Sequence, residues 1–288
     1  MSAQPCPPRP AWVAPARAAA QRPPVRPRLP FAVAGQVVGS VAADVFDGID
    51  LLPLIDLGLS LSKEEQSGSG VWQLRRADAG ACDATAALNA LARLLRTAGR
   101  CGPWRDEQLA VADAAGRRVG TVERGAVRPL GIATRAVHLV ACTPEGAMWV
   151  QQRSLGKATH PGQWDTLMGG MVSAADTLEE ALARETWEEA GLAIADLQTV
   201  EHGGHVDFAR PCEAGGDGGA GAEAAGAGYM VERIDWFRAT VPHGLAPANQ
   251  DGEVERFEAL APAELQARLA AGAFTPEAAL VLAAFFGW

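Results

Sequence analysis

Short apolar runs broken by turn residues alternate along this chain with segments whose apolar positions recur every three to four residues. That mixture predicts sheet and helix sharing common cores. "FAVAGQVVGSV", from Phe31, predicts short strands around Gly35. "DATAALNALARLLRTAGR" predicts an amphipathic helix with Leu88, Leu91 and Leu95 on one face and Gly99 at a left-handed cap. "EQLAVADAAGRRVGTVER" predicts a hairpin turning near Gly116. These elements predict a small α/β domain over about residues 31–130, with no recognisable chemistry of its own.

A second domain, 131–288, is expected to open on a strand near Ala136. "AVHLVACTPEGAMWVQQR" predicts strand, "TPEG" turn and strand, and "WDTLMGGMV" a short strand ending in a glycine pair before an acidic helix. Residues 212–228, "CEAGGDGGAGAEAAGAG", have the composition of a flexible loop between strands. "YMVERIDWFRATV" resumes β structure and two helices close the chain, the last with Thr275 as cap and Pro276 at its first position.

Residues 1–30 carry five arginines, no acid and many prolines, a composition expected to stay outside any packed core as a disordered tail. Such a start also imitates an organelle-targeting peptide, or marks a start codon placed early, and it lacks a secretory pattern. Apolar residues make up 48% of the 288, enough for a sizeable core. The net charge of −9 argues against a nucleic-acid partner, because no basic field attracts a phosphate backbone. Five cysteines without a CxxC pair fit a reducing compartment, and no apolar run reaches the length of a membrane span. A cytoplasmic protein is expected.

Thr177 and Glu180 form a capping box at the start of the acidic helix, and Gly191 stops it. Between them Leu178, Leu182, Glu185 and Glu189 fall at 0, +4, +7 and +11, one stripe at 3.6 residues per turn. Two leucines mark the stripe as core-facing, two glutamates continue it, and Glu188 lies beside them. A carboxylate turned inward costs several kcal/mol unless something positive meets it, and Arg184 cannot neutralise three acids. A solvated face accounts for Glu179 and Glu180. For the other three, a hard divalent cation, Mg²⁺ or Mn²⁺, is the better account.

"GGMVSAADTLEEALARETWEEAGL" resembles the Nudix box, G-x5-E-x7-R-E-U-x-E-E-x-G-U with U aliphatic; Gly170, Arg184, Glu185, Glu188, Glu189, Gly191 and Leu192 match in register. Asp176 stands where glutamate is usual, so a looser or water-bridged bond to Arg184 is expected; Thr186 replaces an aliphatic residue. The resemblance implies an αβα sandwich with a mixed sheet and hydrolysis of a small organic diphosphate. It assigns Glu185, Glu188 and Glu189 to Mg²⁺ or Mn²⁺, has one carboxylate take a water's proton, and gives Arg184 an orienting role. Gly169 and Gly170 allow close backbone approach.

"QQRSLGKATHPGQWDTLMGG", "PANQDGEVERFEAL", "PFAVAGQVVGSV" and "WRDEQLAV" resemble a Nudix subgroup with an extra N-terminal domain, related to thiamine pyrophosphokinase. Its implied substrates are thiamine diphosphate and its oxidised or damaged analogues. Arg153 and Lys157 are candidates to hold the diphosphate, or ordinary surface cations. Trp164 is a candidate to stack on a heteroaromatic ring, or a core-edge residue. Glu253 or Glu255 is a candidate for a further ligand or base, or a plain strand-end charge. His202 and His205 lack further ligands at a metal spacing and are assigned to a loop. Trp104 is read as buried, Arg105 as surface and Cys142 as core.

Three other functions compete: hydrolysis of a nucleoside diphosphate derivative, a non-catalytic Nudix-fold sensor, and isoprenoid diphosphate isomerisation. The isomerase chemistry is expected to use a cysteine in a motif like NTCCSHP, where this chain has "KATHPGQWD".

Overall fold

The computed structural model of the protein describes residues 9–66, 69–78, 80–212 and 228–288. In the N-terminal half, strands β1 (Arg28–Val33) and β2 (Gln36–Ala42) are joined through Ala34 and Gly35, both at positive φ. After helix α2 (Leu52–Asp56) come β3 (Leu59–Gln66) and β4 (Ser69–Arg76), giving a sheet of order β2-β1-β4-β3 with β1 parallel to β4. Helix α3 (Ala84–Thr97) is the predicted amphipathic one. Asp83 caps it by accepting from the Ala86 amide at 3.1 Å, and Leu88, Leu91 and Leu95 are fully buried. The hairpin of β5 (Gln108–Ala112) and β6 (Arg118–Glu123) turns at Gly116, φ +76°.

The second half is built around β7 (Ala133–Cys142). It pairs parallel with β12 (Tyr229–Thr240) and antiparallel with β8 (Met148–Arg153) and β10 (Met168–Met171). β9 (Trp164–Asp165), β11 (Gln198–Pro211) and β13 (Val254–Leu260) complete a seven-stranded mixed sheet. Successive residues of β7 point to opposite faces, and both faces are covered. Val137, Leu139 and Ala141 meet Ala181 and Leu182 of helix α4 (Leu178–Ala190). Ala136 and Val140 meet the cluster formed with helices α5 (Pro262–Ala270) and α6 (Pro276–Phe285). The result is the expected αβα sandwich.

The N-terminal tail is a correction. Residues 9–30 are placed, and helix α1 (Val13–Ala20) packs against α6 and β11. Val13 and Ala20 are buried, and Trp12 meets the Trp288 ring edge-on at 6.1 Å. Composition averaged over thirty residues hid the helical spacing of Trp12, Ala16 and Ala20, and the docking face for it is a C-terminus far away in sequence. Arg17 adds a hydrogen bond to the Trp288 carbonyl. Trp12→Ala is expected to cost about 2 kcal/mol and lower Tm by roughly 5 °C, measured by calorimetry. An unchanged Tm would mean that α1 adds nothing to the fold.

His202 and His205 lie on strand β11, not in a loop; a diglycine step at a register shift reads as a turn but here continues the strand, with Gly203 under the Trp236 ring. Of the Gly/Ala stretch expected as a loop, residues 213–227 lie outside the described residues, and the strands flanking it pair directly, Pro211 with Tyr229.

Candidate active site

Helix α4 begins at the predicted capping box: Thr177 Oγ1 accepts from Glu180 N at 3.2 Å, and Thr177 N donates to the Glu180 carboxylate at 2.8 Å. Gly191 closes it in the left-handed conformation, φ +62°. The stripe of leucines and glutamates turns inward as its spacing requires. Leu182 and Glu189 are each 2% exposed, and the Glu185 side chain 15%. Thr186 is fully buried and donates its hydroxyl to the Leu182 carbonyl at 2.6 Å, so the polar substitute for an aliphatic residue leaves no unmet donor.

Glu189 is a buried carboxyl held by two neutral donors. Gln151 Nε2 donates to it at 2.8 Å and Gly169 N at 3.1 Å, both to the same oxygen, Oε2. Neither donor carries a charge. Burial therefore dominates and pushes the carboxyl up to about 8, with the two hydrogen bonds opposing. Glu185 is also raised, by burial first, against the lowering effect of Arg184. Gly170 is required here: a Cβ on it would sit 2.1 Å from the Glu185 carboxyl carbon.

Arg184 holds the outer side of the helix. It donates from Nε and Nη2 to Asp176 at 3.0 and 2.8 Å, and from Nη1 to Glu185 at 2.9 Å and Glu188 at 3.1 Å. Burial opposes its charge, but Asp176 and Glu185 outweigh burial and hold the guanidinium protonated. The bond to Asp176 is direct, which corrects the expected looser contact: the turn before the helix brings the shorter acid close enough. Glu188 turns outward to Arg184 with its side chain 44% exposed. Glu185 and Glu189 line the central cavity with Gly169 and Gly170, whereas Glu188 is outside its lining.

That cavity has a volume of about 530 Å³. Arg153 and Lys157 both line it, but they are engaged differently. Arg153 donates to the Thr159 carbonyl at 3.2 and 3.1 Å and reaches Asp165 at 3.5 Å, so its charge fastens the 154–163 loop. Lys157 pairs with Glu253 across the cavity rim. Burial raises Glu253, yet the Lys157 hydrogen bond and charge outweigh it, so its carboxyl sits below the usual range and stays ionised. Glu255 is exposed at a register shift of β13 and does not line the cavity. Trp164 is 7% exposed in the core cluster, with the Arg268 and Arg256 guanidiniums at 4.7 and 5.4 Å from its ring. It too is absent from the lining, so of the two roles weighed for it, the core-edge one holds.

Residues 133–283, over half the chain, match the NUDIX domain family model. The chain belongs to the Nudix family. An uncharacterised Nudix hydrolase of Pseudomonas aeruginosa is 37% identical over 97 residues, covering 34% of this chain and 56% of that protein. An isopentenyl-diphosphate Delta-isomerase of Leifsonia xyli is 35% identical over 99 residues, 33% of this chain and 51% of that protein. The chain spans about half the length of the curated relatives it matches. A crystal structure of a Deinococcus radiodurans protein aligns with a TM-score of 0.46 at 23% identity, over 61% of this chain and 96% of that one.

The Nudix helix fits a divalent cation at two of its three acids. Glu189 is buried among uncharged donors and keeps Oε1 for the cavity, and Glu185 stands beside the Gly170 backbone. Among the described residues no three Asp, Glu, His or Cys side chains converge as a preformed metal cluster, and Glu188 stands apart from Glu185 and Glu189. The reason is local: Arg184 at i−4 draws Glu188 away.

Several lining residues escaped the sequence reading. His138, an ionisable side chain inside the apolar run of β7, is 5% exposed and packs under Gly169. Thr166 donates its hydroxyl to the Met168 carbonyl at 2.8 Å, so it accepts from His138 Nδ1 at 2.9 Å; a neutral ring then keeps Nε2 as an acceptor. Gln151 and Asp165 were equally visible as polar breaks in β8 and β9. Arg124 and Arg128 were not, because only the tertiary fold brings the N-terminal half to the cavity.

Proposed function

We propose that this protein is a divalent-metal-dependent hydrolase that cleaves the diphosphate linkage of a small organic diphosphate. The observation that carries this reading is the pair Glu189 and Glu185 in one cavity lining, a buried and a partly buried carboxyl whose hydrogen-bond donors among the described residues are neutral groups and a single guanidinium. Mg²⁺ or Mn²⁺ bound there would offset the phosphate charge and make a water acidic enough to attack phosphorus. Glu185 and Glu189 are the residues that would hold it. Glu188 joins them only by leaving Arg184. Glu253, an ionised carboxylate in the lining of the same cavity, would take a proton from water, and Arg184 orients Glu185.

The substrate we favour is thiamine diphosphate or an oxidised analogue, giving the monophosphate and inorganic phosphate. Its support is the likeness of the flanking stretches to the thiamine-linked subgroup, together with a cavity of the size that holds a drug-sized ligand. A panel of thiamine diphosphate, its oxo analogue, a nucleoside diphosphate derivative and isopentenyl diphosphate, with Mg²⁺, Mn²⁺ or chelator, tests both levels. Metal-dependent phosphate release from the first two is expected. Release only from the nucleoside compound would overturn the substrate, an isomerised product without phosphate release would overturn the hydrolysis, and no turnover of any member would favour a sensor.

A further inference from the structure

We infer that the N-terminal half supplies a phosphate-binding residue, Arg124, to the cavity, so that the Nudix domain alone forms an incomplete substrate site. The inference rests on the reading above that the ligand is an organic diphosphate.

The turn under Arg124 is held from several sides. Glu123 is 1% exposed, and its carboxylate accepts from the Arg105 amide at 2.8 Å and the Gly125 amide at 3.4 Å. The Glu123 amide donates to Asn89 at 3.1 Å and the Arg124 amide to the Glu107 carbonyl at 2.8 Å. Gly125 has no room for a side chain: a Cβ would lie 2.8 and 2.9 Å from the Pro103 and Gly102 carbonyls. A side chain carried on so fixed a backbone is delivered to one place. That place is the cavity wall that also holds Lys157, Glu185 and Glu253.

Charge accounting favours a phosphate role. Arg153 is committed to the Thr159 carbonyl, and Arg184 faces Asp176 and lies outside the lining. Arg128 and Arg210 also line the cavity and pair with Glu232 and Glu277 at 2.7 Å, which leaves Lys157 and Arg124 in the more exposed pairs. Lys157 pairs with Glu253 and Arg124 with Glu107, the latter at 2.8 Å, and both carboxylates are partly exposed. The Arg124–Glu107 pair is 31% and 26% exposed, so it is weak enough for a phosphate group to compete for the guanidinium. Arg124 lines the cavity together with Glu185 and Glu253, which puts the pair beside the acidic end of the cavity. A planar fork there matches the oxygens of a phosphate group.

The test uses the full-length protein with Arg124→Gln, Arg124→Lys and, as control on the same half, Arg117→Gln, whose side chain is exposed and outside the cavity. Turnover is measured on whichever diphosphate is cleaved, and affinity for inorganic pyrophosphate with Mg²⁺ by calorimetry. The expected result is a KM raised about tenfold or more in Arg124→Gln with kcat changed less than threefold, partial recovery in Arg124→Lys, and a matching loss of pyrophosphate affinity. Arg117→Gln should keep wild-type values, and circular dichroism and Tm report folding. Wild-type KM and pyrophosphate affinity in folded Arg124→Gln would overturn the inference while leaving the hydrolase reading intact. Arg124-dependent pyrophosphate binding without turnover of any diphosphate would do the reverse.

Discussion

Glu189→Gln is expected to lower turnover by about two or more orders of magnitude while the fold is kept. The amide is nearly isosteric, and its oxygen can accept the same two hydrogen bonds, from Gln151 and from the Gly169 amide. What disappears is the charge, which is the only feature of this position that the fold itself does not need. Steady-state kinetics at saturating Mg²⁺ measures the loss, and wild-type turnover in the variant would remove Glu189 from the site. Glu188→Gln is the informative companion. Its carboxylate bonds to Arg184 outside the cavity lining, so a smaller loss is expected. An equal loss would show that Glu188 leaves Arg184 when metal binds.

The same residue fixes how stability depends on pH. A carboxyl raised from 4.5 to about 8 in the folded protein binds its proton more tightly there than in the unfolded chain. Below pH 4.5 both states are protonated and the group is neutral in the balance. As pH rises toward 8 the unfolded chain sheds the proton and the folded one holds it, so stability falls across that window. Burial of Glu185 adds to the fall in the same direction. Thermal melts of metal-stripped wild type should therefore drop in Tm between those limits. Glu189→Gln should show a flatter profile, and Mg²⁺ should raise Tm at pH 8 more in wild type than in the variant. A wild-type Tm that rises over the window without metal would contradict the account.

Local patterns carried most of the architecture. The strands around Gly35, the α3 stripe, the hairpin at Gly116, the capping box of α4 and the Thr275–Pro276 start of α6 all depend on residues close in sequence. Short-range sterics and hydrogen bonds therefore decide them. The acidic helix was legible for a further reason: an inward stripe that ends in carboxylates contradicts the periodicity that places it. What the sequence hid was which partner each charged side chain takes, near or far along the chain. Glu188 was grouped with its neighbours because spacing cannot show that Arg184 takes it outward. Arg153 lines the cavity but is also fastened to the Thr159 carbonyl, a partner that spacing does not reveal. Arg124 lies about sixty residues before the acids it faces, and α1 finds its packing surface at Trp288.

The glycine pair offers the sharpest separation of site from scaffold, because the two residues differ in what stands over them. At Gly170 an added Cβ would meet the Glu185 carboxyl group, its atoms 2.1 to 2.4 Å away. That group is the far end of a flexible side chain beside the cavity, and it can swing aside more readily than a buried ring. Gly170→Ala is therefore expected to fold with a stability loss of about 1 kcal/mol or less, yet to lose roughly ten- to a hundredfold in turnover, because the displaced carboxylate is the proposed metal ligand. At Gly169 the added Cβ meets the His138 ring at 2.6 to 3.0 Å. The ring is buried, flat and tied to Thr166, so the backbone or strand must yield instead. Gly169→Ala is expected to cost about 1–3 kcal/mol of stability, as overpacking does, and to disturb the amide that donates to Glu189. Chemical denaturation and Mg²⁺ titration of both variants check the contrast. Gly170→Ala should lose metal affinity with a near wild-type midpoint, and Gly169→Ala should lose the midpoint first. The opposite order would mean that Glu185, not His138, is the rigid partner, and its assignment as a ligand that can move would fail.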